Sequence, residues 1–147
     1  MIVVSACLMG VNCKYSGESN YSEPIVEYLK DKEWIPVCPE QLGGLSTPRL
    51  PSEIIDGEGS DVLDGKARII NTEGQDVTKE FIKGAEESLR LAQMVGAKEA
   101  ILKASSPSCG RNQIYDGTFK GVKKAGSGVT ASLFRRNEIK VISEKDF

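Results

Sequence analysis

Three short apolar runs in this chain each lead within a few residues to a cysteine. Met1-Ile2-Val3-Val4 continues through Ser5-Ala6 to Cys7, Trp34-Ile35-Pro36-Val37 leads directly to Cys38, and Ala100-Ile101-Leu102 passes through a Ser/Pro loop to Cys109. Runs of this length, bounded by turn residues, read as strands. If the three are parallel strands of one sheet, their sulfurs gather in the crevice beyond its carboxyl edge, where open α/β folds place ligands. A three-thiolate site is therefore the leading reading.

With 147 residues the chain fits a single domain, 1–147, large enough to bury its own core. Hydrophobic residues make up 39% and charged residues 27%, and a net charge of −2 gives no electrostatic case for nucleic acid or an anionic membrane. A small-molecule partner is expected. Met1 runs straight into a strand without a basic n-region or a cleavage signal, and no stretch approaches the ~20 apolar residues of a membrane span. The expected location is cytoplasmic, where cysteines serve metal binding or catalysis more often than disulfides. The chain has no histidine. Ser-His and Cys-His nucleophiles, imidazole bases and His-ligated zinc are thereby excluded, and acid–base work falls to Asp, Glu, Lys, Tyr or Cys.

Ser22-Glu23-Pro24 opens a helix expected to end near Lys32, with Ile25, Val26 and Leu29 on one face. A Pro/Gly-rich irregular stretch is expected from Pro39 to Gly59, and Asp64-Gly65 inside Val62–Ile70 carries a hairpin signal. Val77, Phe81, Ala85, Leu89, Ala92 and Val95 recur at helical spacing, stopped by Gly96. A strand at Glu99–Lys103, a loop containing a second Asp-Gly turn at Asp116-Gly117, a helix at Val129–Arg136 and a strand at Ile139–Ile142 complete the chain. The alternation predicts an α/β, Rossmann-like single domain: a mostly parallel sheet, helices on both faces and one small hairpin.

Cys7, Cys38 and Cys109 all flank turn residues, whereas buried structural cysteines more often sit within elements. Three soft thiolates from separate elements suit an iron–sulfur cluster or zinc, and three ligands leave one metal position open. Glu40, two residues after Cys38, projects to the same side in extended backbone and is a candidate general acid or base. Ser106 is a candidate hydrogen-bond donor or proton relay, or a cap for local backbone. Gly126-Ser127-Gly128 before a helix resembles a phosphate-cradling turn, although a structural turn is the commoner use. Arg49, in a stiff Pro-flanked loop, would orient a polar ligand or pair with Glu53, and Lys120, Lys123 and Lys124 read as solvated surface.

Val4-Ser5-Ala6-Cys7-Leu8-Met9-Gly10, Cys38-Pro39-Glu40, Gly43-Gly44-Leu45 with Pro48-Arg49, Ser106-Pro107-Ser108-Cys109-Gly110 and Gly126-Ser127-Gly128-Val129-Thr130-Ala131 occur in that order along nearly the whole chain. Together they resemble the thiouracil desulfidase family. The resemblance implies a 4Fe-4S cluster held by Cys7, Cys38 and Cys109, with one open iron, and places the catalytic carboxylate at Glu40 and the catalytic hydroxyl at Ser106. Cys13 stays outside that ligand set. The family's Tyr-Asp-Gly stands here as Tyr15-Ser16-Gly17, which leaves that aspartate's role without a bearer. The implied chemistry is non-redox, hydrolytic desulfuration of a thiolated pyrimidine. Two rivals remain open: a zinc- or cluster-binding module with Cys13 as fourth ligand, and a thiol redox protein using Cys7 and Cys13.

Overall fold

A computed structural model describes residues 1–147. Four strands, β1 (Ile2–Ser5), β2 (Trp34–Val37), β5 (Glu99–Ile101) and β8 (Lys140–Ile142), form one parallel sheet in the order β2-β1-β5-β8. The chain leaves β1 in one direction to reach β2 and later returns to β1's other side as β5. That reversal is a topological switch point, and the crevice beyond it opens at the carboxyl ends of β1, β2 and β5.

Alternating side chains bind the sheet on both faces, as its period of two requires. Val3, Ala100 and Val141 join Phe134 and Ala92 in one core, beneath α4 (Thr78–Met94) and α5 (Val129–Arg136). Val4 and Ile101 point the other way, against Ile25 and Leu29 of α1 (Glu23–Leu29). Burying each large side chain contributes about 1.5–3 kcal/mol, so neither face can be left uncovered.

Four expectations are corrected or refined. The stretch from Pro39 to Gly59 is not irregular throughout, since it holds α2 (Pro39–Leu42) and β3 (Ser52–Ile55). The Asp64-Gly65 hairpin is not formed. Residues Gly59–Leu63 are helix α3 instead, started by Glu58 and Asp61 in a reciprocal capping box that satisfies its first amides. The antiparallel partner of β4 (Arg68–Asn71) is β3, across that helix. A second antiparallel pair joins β6 (Gln113–Tyr115) to β7 (Lys123–Ala125), with Asp116-Gly117 in its connection, so there are two small antiparallel pairs where one was expected. The first helix stops at Leu29, short of Lys32.

Candidate active site

Beyond the carboxyl edge of the sheet lies a cavity of about 400 Å³. Cys7, Cys38 and Cys109 line it together with Glu40 and Ser106, so the structure brings every sequence-proposed site residue to one place. Cys13 and Arg49 line it as well.

Each thiol arrives by a different route. Cys7 sits in the 3-10 turn Ala6–Met9 that follows β1 at once, and its carbonyl accepts the Asn20 amide at 2.9 Å, which closes the following loop back onto the strand end. Cys38 is the residue between β2 and α2, and Pro39 starts that helix with the fixed backbone angle its first turn needs. The helix is seated by close approach: a Cβ on Gly84 of α4 would overlap the Pro39 carbonyl, so the Cys38–Glu40 turn rests directly on α4 backbone.

Cys109 is carried by the loop between β5 and β6, and that loop is docked on the start of α5. Val129 and Thr130 donate their amides to the carbonyls of Pro107 and Ser108 at 2.9 and 2.8 Å, and the Gly128 amide donates to Gly110 at 2.8 Å. The Ser108 and Thr130 hydroxyls meet at 2.8 Å. A Cβ on Gly128 would overlap the Ser108 carbonyl and lie 2.8 Å from the Cys109 amide nitrogen, so only glycine permits this approach. The Gly126-Ser127-Gly128 turn therefore acts structurally, because the amides a phosphate would use are already bonded to the Cys109 loop.

The Ser106 hydroxyl accepts the amides of Ser108 and Cys109, both at 3.0 Å. With its oxygen engaged as an acceptor, the proton it carries remains for donation into the cavity. Ser106 thus holds the Cys109 loop and offers a donor at once.

Cys13, buried, lies close to Cys38 and Cys7, the Cys38 thiol reaching the Cys13 carbonyl at 3.8 Å, and interaction with those two sulfurs together with burial pushes the Cys13 thiol far up. The Cys13 thiol beside them draws Cys7 below its ordinary value and takes Cys38 to about 6; the Gln41 amide and the Arg49 charge also favour Cys38 as thiolate, while burial opposes. Burial pushes Cys109 up to about 12, opposed by the nearby Ser5 hydroxyl. Burial likewise raises Glu40, and Arg49 opposes that rise by charge and hydrogen bond.

Arg49 pairs with Glu40 through Nε to Oε1 at 3.0 Å, and not with Glu53, one of the two roles its loop suggested. Glu53 is occupied elsewhere, accepting the amides of Gly117 and Phe119 at 2.9 and 3.2 Å. Lys123 is not merely solvated surface, since it reaches the cavity rim beside Lys103 and Lys145. Lys103 is anchored by Glu144 at 2.8 Å, and the same carboxylate accepts the Ala104 amide, tethering the strand end from which the Cys109 loop departs. The sequence left open whether Cys13 joins the other cysteines, because C-x5-C spacing carries no established geometry, and it did not pair Arg49 with Glu40. No three Cys, Asp or Glu side chains converge on a point where a single metal ion would sit.

A parallel α/β sheet whose switch-point cavity collects thiols, a carboxylate and a hydroxyl defines the class: an α/β domain with a cysteine-rich site at the carboxyl edge of its sheet. The chain belongs to the 2-thiouracil desulfurase family, whose model matches residues 2–146. It is 49% identical over 146 residues to the uncharacterized protein YbbK of Bacillus subtilis (strain 168), covering 99% of this chain and 97% of that one. Among solved structures it is similar to TudS (DUF523Vcz), a 4Fe-4S-dependent thiouracil desulfidase, with a TM-score of 0.86 and 40% identity over 99% of this chain and 91% of the other. No helix is long and apolar enough to cross a membrane.

Proposed function

We propose that this protein is an iron–sulfur desulfidase that hydrolyses a thiolated pyrimidine, such as thiouracil, to its oxo counterpart and sulfide. The observation that carries the reading is the convergence of Cys7, Cys38, Cys109, Glu40 and Ser106 on one cavity at the switch point of the sheet. The donor set suits a 4Fe-4S cluster: soft sulfurs from three separate elements line one cavity of about 400 Å³, and cysteine thiolates are the usual ligands of iron–sulfur groups. Cys7, Cys38 and Cys109 would hold the cluster, and Cys13 would stay outside the ligand set beside them. When bound, such a cluster supplies an iron without a cysteine ligand, a Lewis acid suited to a soft thiocarbonyl sulfur.

The protein's own groups do the rest. Glu40 has Oε1 on Arg49, whereas Oε2 has no protein partner and is not sealed in the interior, so Oε2 takes the proton of a water attacking the thiocarbonyl carbon. Ser106 donates its hydroxyl proton's hydrogen bond to the charge that develops as the carbon–sulfur bond breaks. Water adds to carbon and the sulfur leaves as hydrosulfide, so atoms and electrons balance without an external reductant.

Protein purified without oxygen should contain iron and acid-labile sulfide in about equal amounts. Added thiouracil should perturb its visible spectrum more than uracil does, because oxygen is the harder donor. Zinc in place of iron, or a metal-free dithiol, would overturn the proposal in favour of its rivals.

A further inference from the structure

We propose that Arg49 is the positioning residue of the site, fixing Glu40 so that one carboxylate oxygen is committed and the other works, and tying that carboxylate to the Cys13 segment. The inference rests on the reading of Glu40 just given and deepens it.

Arg49 lines the cavity, yet its side chain is only 7% exposed and its donors make four hydrogen bonds to protein. Nε donates to Glu40 Oε1 at 3.0 Å and Nη2 to the Cys13 carbonyl at 2.8 Å. Nη1 donates to the Ser46 carbonyl at 3.2 Å and to Thr47 Oγ1 at 2.9 Å. The arginine's own amide donates to the Tyr15 carbonyl at 2.8 Å, and Gln41 of α2 reaches Thr47 Oγ1 at 2.7 Å. One planar fork thus joins three segments: the turn bearing Glu40, its own loop and the segment after Cys7 that carries Cys13.

A guanidinium so engaged has little left with which to bind a substrate. What it does is restrict a flexible carboxylate. The Glu40 carboxylate has no hydrogen bond other than the one from Nε, so without Arg49 its side chain would sample several rotamers, and Oε2 would lose its fixed direction. Lysine cannot replace the fork, because a single ammonium does not span acceptors set out in a plane.

The test compares Arg49→Lys with Glu40→Gln and wild type, all prepared without oxygen. Misplacing a reacting group by about 1 Å costs on the order of 10²-fold, so Arg49→Lys should lower kcat by roughly 10- to 100-fold. KM should stay within about twofold and iron and sulfide content should stay at the wild-type level, the pattern of a lost transition-state interaction. In cluster-free full-length protein, amides of residues 14–18 should exchange hydrogen faster in Arg49→Lys than in wild type, since their tether through Cys13 is cut. Thr47→Val, which removes one acceptor of the fork and leaves every charge in place, should show the same pattern more weakly and serves if Arg49→Lys does not fold.

A raised KM with unchanged kcat would overturn the inference by making Arg49 a substrate ligand. Unchanged exchange at residues 14–18 would overturn the proposed tether. If Glu40→Gln is inactive while Arg49→Lys and Thr47→Val keep full kcat, the inference fails and the reading of Glu40 stands. If Glu40→Gln turns over normally, both fall.

Discussion

On the wall of the cavity that carries Cys109, main-chain groups do the holding: amides at the start of α5 bond to the loop carbonyls, and the Gly128 backbone lies against Ser108 and Cys109. On the opposite wall the Cys38–Glu40 turn is seated on α4, but the Glu40 side chain and the Cys13 carbonyl are steered by one side chain, Arg49. A wall fixed by backbone tolerates exchange of surface side chains and fails when volume is added at its contact. A carboxylate aimed by one side chain loses its direction, and not its fold, when that residue changes. Backbone contact seats the turns that carry Cys38 and Cys109, whereas the Glu40 carboxylate depends on a side chain for its direction.

The largest effect is expected from the thiols themselves. Cys7→Ser, Cys38→Ser and Cys109→Ser should each abolish retention of iron and acid-labile sulfide, while Cys13→Ser retains both; the reverse pattern would move Cys13 into the ligand set and break the assignment of the walls.

Gly128→Ala comes next, because the added methyl must displace either the Cys109 loop or α5. Overpacking of this kind costs about 1–3 kcal/mol, read as a lower thermal midpoint, and should be accompanied by a lower iron content. An alanine variant with unchanged midpoint and full iron would show that the Cys109 wall is not set by this contact.

Glu40→Gln, on the other wall, should keep the thermal midpoint and the cluster yet lose about 10²–10⁴-fold in turnover, the usual worth of general acid–base catalysis. Ser106→Ala straddles the comparison. It removes an acceptor from two loop amides, a capping loss of about 1 kcal/mol, and should reduce turnover less than Glu40→Gln does. A drop in stability with unchanged turnover would leave Ser106 with the loop alone.

The sheet and the gathering of thiols were legible in the sequence because both follow from local pattern. Apolar runs ending in turn residues mark strands, and parallel strands necessarily bring the residues that follow them to one edge. The long helix was legible for the same reason, its buried Phe81, Ala85 and Ala92 being spaced by its own period. The Asp64-Gly65 hairpin misled because a two-residue signal was outweighed by the Glu58–Asp61 capping box, which commits the preceding residues to helix. Arg49's partner was hidden for another reason. Glu53 is nearer in sequence, but two distant loop amides, those of Gly117 and Phe119, occupy it, and nothing local announces that. Gly128 was legible as a structural turn, but its neighbour in space was not, since Ser108 lies twenty residues earlier in the chain.

If the site performs the proposed hydrolysis, the oxygen of the product comes from water and no electrons are consumed. Anaerobically prepared protein should be incubated with 2-thiouracil in 18O-labelled water without reductant, and the products analysed by mass spectrometry and sulfide assay. The account predicts uracil carrying one 18O atom and one sulfide per uracil formed. Turnover that begins only when an electron donor is added, or uracil whose new oxygen is unlabelled, would contradict it.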